Sequence, residues 1–404
     1  MGYRNPGRRA MGIPGVHRPG AKHSAGHGGG MGGSIGVPLV LNLNKLNTTK
    51  ILAGYNAMKA GTRNMGIAIM GNSTDRGVDE TASPYNLQYT NSLAEYLAAQ
   101  FRAEGIPSGA NNWYGISGTS LTDYKNRDGR LTTAGTAAMG SAVIQGGAGL
   151  SMSSATAAMS FTPQGQWKVA EIFTMQNSAF NGATLAANID GGANTNIVQD
   201  ATNTIRKTIL TAASLGTHTI NISWVSGANA LYGINCYDDS RKEVTIHQWA
   251  QSGGTLSQMV DDTGTPSAGR IRQMTLFSVD LSLGDGGMVN TWRNNISVAT
   301  AQTQFDAWID AVKNAGADFI WCVPPFDSGS AGNTANQQQY IDMGYARCLV
   351  KNVPIFDIRK RWQTKADADA AGYTSAADFT HPRALGQADR AIWLKKAIKY
   401  GMNL

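Results

Sequence analysis

The spacing of apolar residues changes character twice along this chain of 404 residues. Near its start, the run NMGIAIMG is typical of a short buried strand, and SPYNLQYTNSLAEYLAAQFRAEG leads into a helix that ends at Gly105. The preceding segment LNLNKLNTTKILAGYNAMKAG, residues 41–61, has the spacing of an amphipathic helix. This part of the chain therefore begins as α/β structure.

Short alternating segments replace the helical pattern between residues 120 and 241. In THTINISWV every second residue is apolar, which is the period of a half-buried antiparallel strand. Clusters of Gly, Asn and Ser separate these segments, and the whole pattern predicts a β-sandwich of jelly-roll type. Trp167, Trp224 and Tyr232 could stack on sugars, but their alternating strand positions favour a place in the core.

An α/β rhythm returns from residue 242. The apolar strands VTIHQWA, MTLFSVDLS, DFIWCVPP and VPIFDIR alternate with helical stretches near 298–314, 334–350 and 384–400. Strands that are apolar throughout and alternate with helices predict a parallel sheet covered on both faces. We therefore expect one α/β domain that is interrupted by the β-sandwich.

Four segments follow from these patterns. They are a basic Gly-rich arm (1–36), the first part of the α/β domain (37–119), the inserted β-sandwich (120–241) and the second part of the α/β domain (242–404). The net charge of +7 is concentrated in the arm, which has no acidic residue. Such an arm is typical of a solvated segment that contacts other proteins of an assembly, and the body has no basic aromatic patch for nucleic acid. We expect a homo-oligomer or a place in a larger assembly.

Cysteine content and hydropathy limit where the protein works. The three cysteines, Cys236, Cys322 and Cys348, lack CxxC spacing and are expected to be isolated thiols. No apolar run is long enough for a membrane span, and no secretory signal is visible. With 48 glycines and only 15% charged residues, the composition is typical of extracellular or viral structural proteins. We expect a virion or extracellular location, or the cytoplasm if neither applies, and no cofactor or metal.

Candidate chemistry begins at Ser73, in AIMGNSTDRG, directly after the first strand. Functional groups of open parallel sheets gather at the carboxyl ends of the strands. A serine nucleophile needs a base, and histidine is the usual one. Of the three histidines outside the arm, His381 alone follows the last strand, in ADFTHP. His247 lies within a strand and is expected to pack there. Asp378, three residues before His381, could orient the imidazole. The chain order is Ser, Asp, His.

These motifs resemble the SGNH/GDSL hydrolase family, whose fold is a flavodoxin-like three-layer α/β/α sandwich. Its first block, GDS, resembles Gly71-Asn72-Ser73, and its last block, DxxH, resembles the segment from Asp378 to His381. Asn72 replaces the usual aspartate, which changes the hydrogen bonds that brace this turn.

The other two blocks are less regular. The second, an SGxT-like turn, has two candidates: Gly118 in YGISGTS and Gly253 in WAQSGGTLSQ, which we prefer because a clear strand precedes it. The third block, GxND, supplies an asparagine to the oxyanion. One alignment puts Gly286 at that place, and another, which we favour, puts Asn290 there.

The resemblance implies a serine esterase with an acyl-serine intermediate. Its oxyanion hole would comprise the backbone N–H groups of Ser73 and Gly253 and the side chain of Asn290. The implied substrates are acyl, above all acetyl, esters of carbohydrate, and the arm and composition suit a component of a phage particle. Two alternatives stay open: a non-catalytic structural or host-binding protein on a degenerate scaffold, and a carbohydrate-binding protein that works through the β-sandwich. Asp75, close to the nucleophile, is expected to be a solvated loop acid.

Overall fold

The computed structural model describes residues 39–77, 92–116, 120–144, 147–260, 271, 273–328, 336–378 and 380–404. The arm (1–36) and Gly118 lie outside these residues. In chain order the described strands are β1 (Val40–Leu41), β2 (Met65–Ile69), β3 (Ser108–Gly109), β4 (Asn112–Trp113), β5 (Leu131–Ala134), β6 (Ala138–Ile144), β7 (Gly147–Met152), β8 (Ala158–Phe161), β9 (Trp167–Gln176), β10 (Thr184–Ile189), β11 (Thr195–Val198), β12 (Thr204–Gly216), β13 (Ile220–Ser226), β14 (Asn229–Tyr237), β15 (Val244–Gln248), β16 (Val279–Gly284), β17 (Asp318–Cys322) and β18 (Ile355–Phe356).

The described helices surround these strands. They are α1 (Thr49–Lys59), α2 (Ser73–Arg76), α3 (Leu93–Arg102), α4 (Leu121–Arg127), α5 (Leu256–Val260), α6 (Gln273–Leu276), α7 (Met288–Arg293), α8 (Val298–Asn314), α9 (Gln337–Val350), α10 (Arg359–Trp362), α11 (Lys365–Ala370) and α12 (Ala384–Gly401).

A central sheet of seven strands has the order β1-β18-β17-β16-β2-β15-β3. All neighbours pair in parallel except β1, which runs antiparallel to β18. Its five main parallel strands have the flavodoxin order. Side chains alternate across β2, so Ile67 and Ile69 pack with Leu97 and Leu394 on one face, while Ala68 lies in the core cluster of the other face. The sheet is therefore the middle layer of an α/β/α sandwich, as expected.

Two antiparallel sheets form the β-sandwich. Their strand orders are β11-β10-β13-β8-β5 and β12-β9-β14-β7-β6, and β4 also pairs with β14. Leu150, Ile172 and Ile222 belong to the apolar core of this sandwich, as does Trp167, which is fully buried. The inserted β-sandwich is confirmed at the level of fold. The chain leaves the central sheet after β3, which ends at Gly109, and joins the sandwich at β4, which begins at Asn112. It returns to the central sheet between the end of β14 at Tyr237 and the start of β15 at Val244. The exact segment bounds stay predictions.

Two local expectations are wrong in detail. The helix expected over residues 41–61 begins only at Thr49, because Asn44 caps a separate 3₁₀ turn, Lys45–Asn47. The strand expected from MTLFSVDLS starts at Val279, since α6 occupies the first three of these residues. Met274 and Phe277 are both buried and three residues apart, a spacing that puts them on one helix face.

The described chain also bears on two simpler expectations. The three cysteines are free and buried, which confirms isolated thiols. Within the described residues, the helices are all too short or too polar to cross a membrane.

Candidate active site

The nucleophile turn follows the carboxyl end of β2. Asn72 caps α2, its side-chain oxygen accepting the backbone N–H of Thr74 at 2.8 Å, and Ser73 is the first residue of the helix. Gly71 is required here, because a Cβ atom at this position would lie 1.9 Å from a carboxylate oxygen of Asp75. Gly77 ends the short helix with φ of 91°. The sequence thus presents Ser73 on a sharp strand-to-helix turn.

The structure brings Ser73, His381 and Asp378 together although 308 positions separate the first two residues. Ser73 Oγ lies 2.8 Å from His381 Nε2, and His381 Nδ1 lies 3.0 Å from Asp378 Oδ1 and 3.1 Å from its Oδ2. His381 and Asp378 are buried, at 6% and 2% exposure. This is the geometry of a hydroxyl joined to a base and of a base joined to an orienting carboxylate.

Asp378 is held in its ionised form. Burial alone would raise its pKa, but hydrogen bonds from the His381 side chain and from the backbone N–H groups of Thr380 and His381 lower it to about 2. An ionised Asp378 accepts the Nδ1–H of His381. The lone pair of Nε2 then points to the hydroxyl of Ser73.

A buried carboxylate, Asp327, supports the loop that carries the histidine. The Thr380 hydroxyl donates to Asp327 Oδ1 at 3.0 Å, and Arg293 pairs with both oxygens of the same carboxylate at 2.6 and 2.8 Å. Trp292 Nε1 donates to Asp327 Oδ2 at 2.9 Å, and Arg293 also contacts the Thr380 hydroxyl. Thr380 therefore links α7 to the loop between Asp378 and His381. Sequence reasoning missed this network, since Asp327 carries no motif.

The predicted second-block turn lies next to the nucleophile turn. The backbone N–H of Gln251 donates to the carbonyl oxygen of Gly71 at 2.9 Å, and the Arg76 side chain donates to the carbonyl oxygen of Ala250 at 2.6 Å. Gly253 follows in a left-handed conformation with φ of 77°. Its role in an oxyanion hole stays a prediction.

In the third block, backbone conformation and the Trp308 ring explain why position 286 is a glycine. Gly286 has φ of 67°, and a Cβ atom would lie 2.2 Å from the Trp308 ring, so an asparagine does not fit there. Asn290, in α7, instead donates its side-chain N–H to the carbonyl oxygen of Gly254 at 3.0 Å. The amide has a second N–H, which has no partner among the described residues. Asn290 thus joins α7 to the turn that contains Gly253.

Asp75 contradicts the expectation of a solvated loop acid. It is fully buried, as is Arg390 in α12, and the two form an ion pair. The backbone N–H of Asp285 also donates to Asp75, at 3.1 Å, and Arg390 donates to the carbonyl oxygen of Thr74 at 3.1 Å. Asp75 therefore braces the nucleophile turn from beneath. In the sequence, the only signal for this ion pair was Arg390, a charged residue on the buried side of α12, one turn before Leu394.

A second buried carboxylate completes this cluster. Burial, and then the nearby charge of Asp75, raise the pKa of Asp285 to about 8. Asp285 accepts the backbone N–H of Gly287 at 2.8 Å and lies 3.4 Å from the Thr74 hydroxyl. The cluster thus holds two carboxyl groups and one guanidinium, and the raised pKa of Asp285 favours its protonated form.

The other expected side chains take no part in this site. His247 is buried in the sheet and hydrogen-bonds Tyr114 at 2.8 Å, and burial lowers its pKa to about 3. Trp167 and Tyr232 are buried, as expected for core positions, so neither forms an exposed sugar platform. Among the described residues, no group of His, Cys, Asp or Glu is arranged to hold a metal ion.

Comparisons of sequence and of structure give different results. Neither a protein-family model nor a curated protein sequence matches this chain. The structure is similar to that of a peptidoglycan O-acetylesterase, with a TM-score of 0.65 and 14% identity over 91% of this chain and 99% of that chain. The fold is that of the SGNH hydrolases. The resemblance inferred from the sequence motifs is confirmed at this level.

Two further structures have lower TM-scores. A family two carbohydrate esterase from Cellvibrio japonicus has a TM-score of 0.29 at 12% identity, covering 68% of this chain and 96% of that chain. A lipase/acylhydrolase from Enterococcus faecalis has a TM-score of 0.31 at 15% identity, covering 39% of this chain and 77% of that chain. The fold assignment depends on the first structure alone.

Proposed function

We propose that this protein is a serine ester hydrolase in which Ser73 is the nucleophile. The observation that carries the proposal is the continuous set of contacts from Asp378 through His381 to Ser73, at 3.0 and 2.8 Å. His381 would take the Ser73 proton as Oγ attacks the ester carbonyl carbon. It would then donate that proton to the departing alcohol, leaving an acyl-serine. Water, activated by the same imidazole, would release the acid and free Ser73.

The tetrahedral intermediate needs donors for its oxyanion. We assign these to the backbone N–H groups of Ser73 and Gly253 and to the side chain of Asn290. Support comes from the contact of Asn290 with Gly254, which places the amide beside the Gly253 turn. Removing one such donor raises the activation barrier by about 2.7–4 kcal/mol in comparable sites.

For the substrate, we propose acyl esters of carbohydrate, above all O-acetyl groups. The fold shared with a peptidoglycan O-acetylesterase supports this choice. We further propose that the protein works in a phage particle, where the basic arm (1–36) would attach it to other virion proteins. Normal assembly of the arm-deleted protein into particles would contradict that placement.

Hydrolysis of p-nitrophenyl acetate tests the chemistry. Wild type should turn over this ester, whereas Ser73→Ala should lose nearly all activity and keep its circular dichroism spectrum. Ser214→Ala, an exposed serine of the β-sandwich, is the matched control and should keep full activity. Equal rates for wild type and Ser73→Ala would contradict the proposal. Acetate release from O-acetylated polysaccharides would then identify the substrate.

One observation favours a second candidate, a non-catalytic scaffold. In one of the two alignments the family asparagine falls at Gly286, where the Trp308 ring leaves no room for a side chain. Asn72 also departs from the family motif. A protein that folds normally but leaves every tested acetyl ester intact, with intact Ser73, would support this candidate.

A further inference from the structure

A cavity of about 200 Å³ lies where the β-sandwich meets the central sheet. Glu171, Lys207 and Asn235, from β9, β12 and β14, line it on the sandwich side. Thr245 of β15 and the loop that contains Arg63 line it on the sheet side. The cavity is thus built by residues from both parts of the chain.

This cavity is separate from the candidate active site. Gly66, near the amino end of β2, lines it, whereas Ser73 follows the carboxyl end of the same strand. The five residues of β2 span about 16 Å at about 3.3 Å per residue. A ligand in the cavity therefore does not touch the nucleophile.

Positive charge prevails along the cavity wall. Lys207 pairs with Glu171 at 2.7 Å, and Arg63 pairs with Asp280, which lies behind the wall, at 2.6 Å. Lys242 also lines the cavity, is half-buried, and has no ion-pair partner among the described residues. The wall therefore carries a cation that an anionic group of a ligand could neutralise.

Uncharged polar groups and a ring surround this cation. Asn235 and Thr245 also line the cavity and are 4% and 3% exposed, and within the described part of the chain Asn235 Oδ1 and Thr245 Oγ1 have no hydrogen-bond partner. Buried polar atoms without partners are costly, by about 1–3 kcal/mol each. The Tyr237 ring also lines the cavity. Hydroxyl groups and an apolar ring face of one ligand would match these three residues.

We propose that this cavity binds one acidic sugar unit, with its carboxylate on Lys242 and its hydroxyls toward Asn235 and Thr245. The cavity volume of about 200 Å³ leaves room for a single sugar ring. Such a site would hold an acidic polysaccharide at a distance from Ser73. The proposal does not depend on ester hydrolysis, because the two sites share no residue.

Calorimetric titration of the full chain tests the proposal with three probes: D-glucuronate, D-glucose and acetate. Glucuronate should bind at least about tenfold more tightly than the other two, because only it offers both a carboxylate and hydroxyls. Lys242→Met should weaken glucuronate about tenfold, while Lys242→Arg, which keeps the charge, should stay within about threefold of wild type. Lys168→Met, an ion-paired lysine of β9 outside the cavity, is the control and should bind normally.

Three results would overturn the proposal. They are no measurable glucuronate binding by wild type, acetate binding as tight as glucuronate binding, and unchanged glucuronate affinity in a folded Lys242→Met variant. Ser73→Ala should bind glucuronate like wild type. A failed esterase assay with intact glucuronate binding would therefore contradict only the proposed function.

Discussion

The buried ion pair beneath the nucleophile turn allows a quantitative test. Arg390→Met keeps much of the side-chain volume but removes the guanidinium that pairs with Asp75. Both side chains are fully buried, so the variant leaves a carboxylate in the interior whose remaining described donor is the backbone N–H of Asp285. Breaking a buried pair by removing one partner costs about 3–5 kcal/mol. We expect the free energy of unfolding to fall by about that amount at neutral pH.

Urea denaturation at neutral pH measures this loss. Lys399→Met on the same helix removes a pair with Glu104 that water screens, and it should therefore cost far less stability than Arg390→Met. The double variant Asp75→Asn/Arg390→Met should recover part of the stability, because no uncompensated charge remains. An Arg390→Met loss no larger than that of Lys399→Met would refute this reasoning.

Three further predictions concern the site itself. Thr380→Val removes the hydroxyl that is bonded to Asp327, so kcat for p-nitrophenyl acetate should fall about tenfold with little change in KM. Thr380→Ser keeps a hydroxyl and should have a kcat close to that of wild type. An equal fall of kcat in both variants would argue against a role of the hydroxyl. Asn290→Ala should lower kcat by about 10²–10³, and an unchanged kcat would exclude it from the oxyanion hole. Because burial raises the pKa of Asp285 to about 8, stability should fall as the pH rises from about 4 to about 8. Asp285→Asn should flatten that fall in melting temperature, while the control Asp310→Asn should follow wild type.

The sequence was sufficient for the fold because each layer leaves a local signature. The apolar residues of β2 and those of β17 after Asp318 indicated strands covered on both faces, and the alternation in THTINISWV indicated the sandwich. The same logic located the candidate site. Ser73 and His381 each follow a strand of one parallel sheet, and the carboxyl ends of such strands meet at one edge whatever their separation in sequence.

Features that depend on distant partners left no such signature. Asp75 follows the nucleophile in a polar run, and its burial depends on Arg390, which is 315 positions away. The choice between Gly286 and Asn290 depended on the place of the Trp308 ring, which no local pattern fixes. The late start of α1 depended on the 3₁₀ turn capped by Asn44, whose side-chain amide also donates to Asn352 at 3.1 Å, 308 positions away. Local sequence preferences could not predict these features, because contacts between residues far apart in the sequence determine them.

Asn72 is best understood through the charges around it. The Thr74 hydroxyl donates to Asn72 Oδ1 at 2.8 Å and lies 3.4 Å from Asp285, which contacts Asp75 in turn. Arg390 already pairs with Asp75 in this buried space, and Asp285 adds a second buried carboxyl group, whose pKa burial raises. An aspartate at position 72 would add a third carboxyl group that Arg390 could not neutralise. The neutral amide keeps the cap on α2 without that cost, so the departure from the family motif is compatible with a working nucleophile at Ser73.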